Sequence, residues 1–161
     1  MVVNWLATMA AHDLDDPARQ YGGLFALAAA EAVIFAPFLY WVFEYRGGGD
    51  VVSAAAITAI GFAGLTVVAF VTRRDLSFIR PIVMWGGVAA LVTIVAALIF
   101  GAQLGTWFSV GMIALVGAAI LYQTQTIMRR YPETAYVGAA VQLFASLMTM
   151  FWYVLRLVSR D

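Results

Sequence analysis

An acidic residue interrupts the first long apolar stretch of this sequence. Glu31 lies among alanine, valine and isoleucine residues, and an ionised carboxylate is costly in hydrocarbon unless it finds a partner. Such a residue predicts a proton relay or cation site that faces the interior of a helix bundle. The alternative is a structural glutamate, protonated or hydrogen-bonded, that transports nothing. Pro37 follows in the same stretch, frees a backbone carbonyl near Val33, and predicts a helix kink.

Uncharged polar side chains gather in the last two apolar stretches. The sequence YQTQT occupies residues 122–126. A second set recurs at helical spacing and therefore shares one helical face: Gln142, Ser146, Thr149 and Tyr153. Two polar faces that meet in a bundle hydrogen-bond and hold helices together, and we favour this interpretation because no second charge is present. With Glu31, we take Gln123 and Ser146 as candidates for an interior polar or proton site.

The residues missing from the sequence exclude several kinds of chemistry. There is no cysteine and a single histidine, His12, which excludes disulfides, thiol catalysis and zinc sites built from several such ligands. No apolar stretch holds a paired carboxylate, and no HExxH motif occurs. We therefore expect no enzyme activity, no metal and no cofactor. A formal net charge of zero lacks the basic surplus of a nucleic-acid-binding protein.

The composition places these residues in a membrane protein. Of the 161 residues, 64% are hydrophobic and only 11% charged, outside the range of soluble globular domains. Five apolar stretches reach the roughly 20 residues that cross a bilayer as a helix: 22–43, 51–72, 81–100, 106–128 and 134–158. Residues 1–21 precede them, and the apolar residues 1–11 are too short to span, so we expect an interfacial anchor or the end of an upstream helix. The sequence predicts an all-α, polytopic membrane bundle of five transmembrane helices in the lipid bilayer.

The arginines predict the orientation of these helices. Six lie before the first stretch, between the second and third, and between the fourth and fifth: Arg19, Arg73, Arg74, Arg80, Arg129 and Arg130. Three lie on the opposite side: Arg46, Arg156 and Arg160. Because cytoplasmic loops carry the excess of basic residues, we expect a cytoplasmic N-terminus and a C-terminus outside the membrane.

Four motifs occur here in the order in which one membrane family carries them. They are EAVIFAP at residues 31–37, TRRDLS at 72–77, ILYQTQ at 120–125, and the terminal segment from Leu143 to Arg156. Over about residues 20–161 the sequence resembles the bacterial branch of the transmembrane Bax-inhibitor family. The family loop of Thr-Lys-Arg-Asp-hydrophobic-Ser corresponds here to Thr72, Arg73, Arg74 and Asp75, with Leu76 and Ser77 after them.

Two positions separate this sequence from the proton-sensing members of that family. Those members place aspartates where Gln123 and Ser146 stand here. The YccA type is more similar, because it has a serine on the last helix and the ending Ser-Arg-Asp, found here at residues 159–161. The resemblance implies a bacterial inner-membrane protein whose partner is the membrane protease FtsH, which it modulates. The alternative is a pH-sensitive leak or exchange of calcium or protons, and a homo-oligomer is also open.

The resemblance also predicts what is missing. The family has seven spans, and this sequence begins near the end of the second. We therefore expect the first two helices to be absent, through divergence, a truncated gene model or a second chain that supplies them.

Overall fold

The computed structural model describes residues 17–160. Over that range the chain forms five long helices: α1 (Pro17–Arg46), α2 (Gly49–Val71), α3 (Ile79–Phe100), α4 (Thr106–Arg130) and α5 (Tyr136–Val158). A short 3-10 helix, Glu133–Ala135, precedes α5. All five long helices have the length and apolarity to cross a membrane, so the predicted five-helix membrane fold is confirmed. The expectations for residues 1–11, His12 and Asp161 lie outside the described residues.

The helix ends follow the local sequence. Proline at the first position of α1 loses no hydrogen bond, because the first N–H groups of a helix have no intrahelical partner, and α1 begins at Pro17 rather than at residue 22. Gly47 and Gly101 follow α1 and α3 with φ of 81° and 64°, a left-handed conformation that other residues rarely adopt. Glycine thus permits the tight connections that join successive helices.

The core lies between α2, α4 and α5, and the α4–α5 contact is the most extensive. α1 packs on α5 and α2, whereas within residues 17–160 α3 packs only on α4. Side chains from four helices form the main buried cluster: Val42, Ala54, Val116, Ile120, Met150, Val154 and Leu155. A smaller cluster of Leu27 and Val141 fastens α1 to α5. The helices that carry the candidate site are therefore also the best packed.

Contacts between distant residues define the two ends of the bundle. The backbone N–H of Leu76, in the α2–α3 loop, donates to the side chain of Gln125 on α4. The hydroxyls of Tyr21 and Tyr136 lie 3.1 Å apart and join the N-terminal parts of α1 and α5 at the same end. At the other end, Arg156 donates to the carbonyl of Leu104 at 3.1 Å. The segments that hold the larger arginine group thus share one end of the bundle.

Candidate functional site

A hydrogen bond joins the polar faces of α4 and α5. The hydroxyl of Ser146 donates to Oε1 of Gln123 at 2.8 Å, and both side chains are half-buried. A cavity of about 220 Å³ opens beside this pair. It is lined by Val116, Ala119, Gln123, Gln142, Ala145, Ser146 and Thr149. Two of the three candidate site residues therefore meet, in an environment whose polar groups are all uncharged.

The polar contact between α4 and α5 continues toward the arginine-rich end. The hydroxyl of Tyr131, which follows α4, donates to Oε1 of Gln142 at 2.9 Å. Burial raises the pKa of the Tyr131 hydroxyl above its ordinary value, and the neighbouring Tyr122 raises it further. Tyr131 therefore stays neutral at physiological pH and remains a hydrogen-bond donor.

Glu31 lies on the side of α1 that faces α5. Leu27 and Phe35, one turn before and one turn after it, are both buried. Leu27 packs with Val141, and the ring of Phe35 lies 5.7 Å from that of Phe151. Glu31 is half-buried between these two contacts. The interior polar or proton site at Glu31 stays a prediction, and Glu31 is not among the residues that line the cavity beside Gln123 and Ser146.

Pro37 lies inside α1, which continues as a helix from Pro17 to Arg46. Proline has no N–H, so the carbonyl of Val33 lacks its usual helical partner. The kink at Pro37 stays a prediction.

The α2–α3 loop is fastened to α4 by one buried side chain. Gln125 is only 3% exposed. Its Oε1 accepts from the N–H of Leu76 at 2.7 Å, while its Nε2 donates to the carbonyls of Arg74 at 2.8 Å and Thr72 at 3.4 Å. A primary amide has both donors and acceptors, so one glutamine satisfies three backbone groups that no helix satisfies.

An arginine and an aspartate complete this loop. Arg129 donates to the carbonyl of Arg73 at 2.9 Å. Oδ1 of Asp75 accepts from the N–H of Ser77 at 3.0 Å and from its hydroxyl at 2.6 Å. These hydrogen bonds from Ser77 hold the pKa of the Asp75 carboxyl below its ordinary value, and the charges of Arg129 and Arg130 act in the same direction. The motif at residues 72–75 is therefore a loop whose backbone α4 holds in place.

The sequence identified this loop motif but missed the side chain that holds it. Gln125 was visible only as part of the polar run at residues 122–126 and of the motif at residues 120–125, with no role of its own. A polar residue in the last turns of an apolar helix, close to Arg129 and Arg130, was the available signal. Its partners are backbone groups of another segment, which no spacing rule identifies.

Comparison with known proteins places this arrangement in a family. The family model described as inhibitor of apoptosis-promoting Bax1 matches residues 1–161. The chain belongs to the Bax-inhibitor family. The resemblance inferred from the four motifs is confirmed, and proteins of the YccA type are among the relatives.

Similar proteins from three bacteria illustrate the relationship. The chain is 32% identical over 142 residues to the modulator of FtsH protease YccA of Escherichia coli, covering 85% of this chain and 64% of YccA. It is 32% identical over 131 residues to a protein of Pseudomonas aeruginosa, covering 79% of this chain and 58% of that protein. A Neisseria meningitidis protein is 30% identical over 121 residues, covering 74% and 53%. The chain thus spans less than two thirds of the length of each relative.

The side chains of Gln123 and Ser146 determine what chemistry this site can perform. Neither the amide of Gln123 nor the hydroxyl of Ser146 ionises near neutral pH. Their hydrogen bond therefore links α4 and α5 while the pair stays electrically neutral. Within residues 17–160, no group of three His, Cys, Asp or Glu side chains is arranged to hold a metal ion.

Proposed function

We propose that this protein is a non-enzymatic adaptor of the bacterial inner membrane that modulates the membrane protease FtsH through helix–helix contacts. The neutral hydrogen bond between Gln123 and Ser146 carries this proposal. It occupies the positions at which the proton-sensing relatives place acidic residues. YccA, which is named a modulator of FtsH and is 32% identical to this chain, supports the choice of partner.

The neutral pair argues for contact rather than transport. A shared proton between two carboxylates gives a site that titrates as a coupled unit, and an amide bonded to a hydroxyl has no such proton. The bond instead supports a fixed bundle surface that another membrane protein can recognise. Interhelical hydrogen bonds of this kind contribute about 0.6 kcal/mol each in membranes.

The adaptor proposal is tested in cells that lack YccA. The tagged chain is purified in mild detergent from native membranes, and the half-life of an FtsH membrane substrate is measured with and without the chain. We expect FtsH to co-purify with the chain and not with an unrelated five-helix membrane protein, and we expect the half-life to change. If FtsH does not co-purify with the chain and the half-life does not change, the adaptor proposal loses its support.

Glu31 favours a second candidate, a pH-sensitive leak for calcium or protons. A half-buried carboxylate inside a membrane span is a recognised feature of ion and proton pathways. In liposomes we expect little acid-dependent calcium flux from the unmodified chain. The double variant Gln123→Asp, Ser146→Asp is expected to gain it, because two close carboxylates titrate together. Strong acid-tunable flux from the unmodified chain, lost in Glu31→Gln, would replace the adaptor with the leak.

The orientation is part of the same proposal. Six arginines flank one end of the bundle and three the other, and we therefore propose that the end that holds Arg129 and Arg73 faces the cytoplasm. This puts the N-terminus in the cytoplasm and the C-terminus in the periplasm. A C-terminal reporter fusion that is active only in the cytoplasm would reverse the assignment.

A further inference from the structure

A polar cavity opens at the arginine-rich end of the bundle. It has a volume of about 140 Å³ and lies between the α2–α3 loop and the last turns of α4. The lining residues share polar end groups: Asp75, Ser77, Tyr122, Gln125, Thr126, Arg129 and Arg130. Neither the family comparisons nor the adaptor proposal accounts for this cavity.

The charged side chains that line the cavity sum to one net positive charge. Arg129 and Arg130 are always protonated, and Asp75 is ionised at neutral pH, so two positive charges face one negative charge. Oδ1 of Asp75 accepts hydrogen bonds from the N–H and the hydroxyl of Ser77. That oxygen therefore already has its partners within the same turn. One excess positive charge matches a singly charged anion such as a phosphodiester.

The arginines have donors to offer such an anion. The Nη2 atom of Arg129 donates to the loop carbonyls of Arg73 and Arg74, but a guanidinium carries five N–H donors. Nη2 of Arg130 lies 3.5 Å from the hydroxyl oxygen of Ser77, a weak contact that an anion can displace. Both arginine side chains are exposed, and the planar guanidinium matches the geometry of phosphate oxygens.

The position of the cavity indicates the source of the phosphate. α2 ends at Val71 and α3 begins at Ile79, so the cavity lies where two membrane helices end and the lipid headgroups begin. Phe78, which directly follows the cavity residue Ser77, is 63% exposed and offers an apolar ring at the same end of the bundle. Basic pockets at the ends of transmembrane helices bind anionic headgroups.

We propose that this cavity binds a phosphate monoanion that is supplied by the headgroup of an anionic phospholipid. The cavity accepts one headgroup, with the phosphate against Arg130 and the acyl chains beside Phe78. This inference does not depend on FtsH, because it requires only the lipid.

Native mass spectrometry of the full chain in detergent tests the proposal. One arm titrates phosphatidylglycerol, a second phosphatidylcholine, and a third inorganic phosphate. We expect one saturable phosphatidylglycerol adduct and much weaker binding in the other two arms. Saturable binding of inorganic phosphate alone would overturn the lipid source, and absence of saturable binding in all three arms would overturn the site.

Three single variants connect the adduct to the cavity. Arg130→Gln is expected to weaken phosphatidylglycerol binding about fivefold, the effect of one arginine near a headgroup. Asp75→Asn is expected to strengthen it, since it removes the one negative charge and keeps an acceptor for Ser77. Arg46→Gln, which makes the same charge change at the other end of the bundle, is the matched control and should leave binding unchanged.

The variants distinguish a local site from general electrostatic attraction. Equal weakening in Arg130→Gln and Arg46→Gln would overturn the cavity as the site, as would unchanged or weaker binding in Asp75→Asn. The unfolding midpoint of each variant is measured in the same detergent. Because the Arg130 side chain is exposed and its hydrogen bond to Ser77 is long at 3.5 Å, its replacement should change that midpoint little.

Discussion

α3 and α5 are nearly equal in length, but α3 is mostly exposed whereas α5 is the most buried helix of the bundle. α3 has 22 residues and α5 has 23. None of the most apolar part of α3 is buried against protein, whereas 39% of the corresponding part of α5 is buried. Yet α3 is the more apolar of the two by mean hydropathy. In a bilayer, the most apolar helix is the most exposed one, because lipid is as good an apolar environment as protein.

The polar residues of the two helices make the same point. Beyond Arg80 in its first turn, α3 carries a single polar side chain, Thr93, which bonds to its own helix through the carbonyl of Ala89 at 2.8 Å. α5 directs Gln142 and Ser146 to partners outside its own helix. Polar residues therefore identify the protein-facing side of a membrane helix better than hydropathy does.

The largest expected difference between the two helices concerns packing. Leu155 on α5 is fully buried, whereas Leu98 on α3 is 78% exposed. Leu155→Ala leaves a cavity between helices and should lower the free energy of unfolding by about 3 kcal/mol. Leu98→Ala faces lipid and should change it little. Unfolding of both variants by a denaturing detergent in mixed micelles measures the difference, and equal losses would remove the distinction between α3 and α5.

A second expected loss concerns the loop that connects α3 to the rest of the bundle. Gln125→Leu leaves the N–H of Leu76 without its side-chain partner and leaves the carbonyl of Arg74 only the longer, 3.4 Å bond from Arg129. We expect this to cost about 2 kcal/mol. Gln103→Leu, an exposed position in the α3–α4 loop, is the matched control and should be nearly neutral.

Hydrogen exchange localises this effect. The amide of Leu76 should lose protection in Gln125→Leu, while the amides in the middle of α5 keep theirs. Retained protection at Leu76 would mean that water or another group replaces Gln125, and α3 would then be attached through its contact with α4 alone.

The sequence predicted the membrane-spanning helices and part of the candidate site, each for a different physical reason. Five apolar stretches of about 20 residues sufficed for the helices, since a helix of that length satisfies its own backbone groups in lipid. Gln123 and Ser146 were identified because polar faces at helical spacing must find each other in a bundle. The role of Gln125 was not predictable, because its partners are backbone groups whose position depends on how the α2–α3 loop folds back. For Glu31 the predicted transport role stays a prediction.

The hydrogen bond that distinguishes α5 from α3 should be measurable by itself. A double-mutant cycle of Gln123→Ala and Ser146→Ala should give a coupling free energy of about 0.6 kcal/mol, typical of interhelical hydrogen bonds in membranes. A cycle of Gln123→Ala and Thr93→Ala is the control and should give no coupling, because Thr93 bonds within its own helix. A coupling free energy near zero in the first cycle would mean that this hydrogen bond does not stabilise the contact between α4 and α5.

The smallest expected effect is the pH dependence of the turn that leads into α3. Hydrogen bonds from Ser77 lower the pKa of Asp75 in the folded protein, whereas an unfolded aspartate titrates near pH 3.9. The stabilisation is therefore complete above the unfolded pKa and is lost as the pH falls through the folded one. The difference in unfolding midpoint between the native chain and Ser77→Ala should be constant above about pH 5 and shrink below about pH 4. Because the turn is exposed and α5 carries most of the packing, the difference in unfolding midpoint should be small at every pH. A difference that grew in acid would contradict the assignment of Ser77 as the partner of the ionised carboxylate.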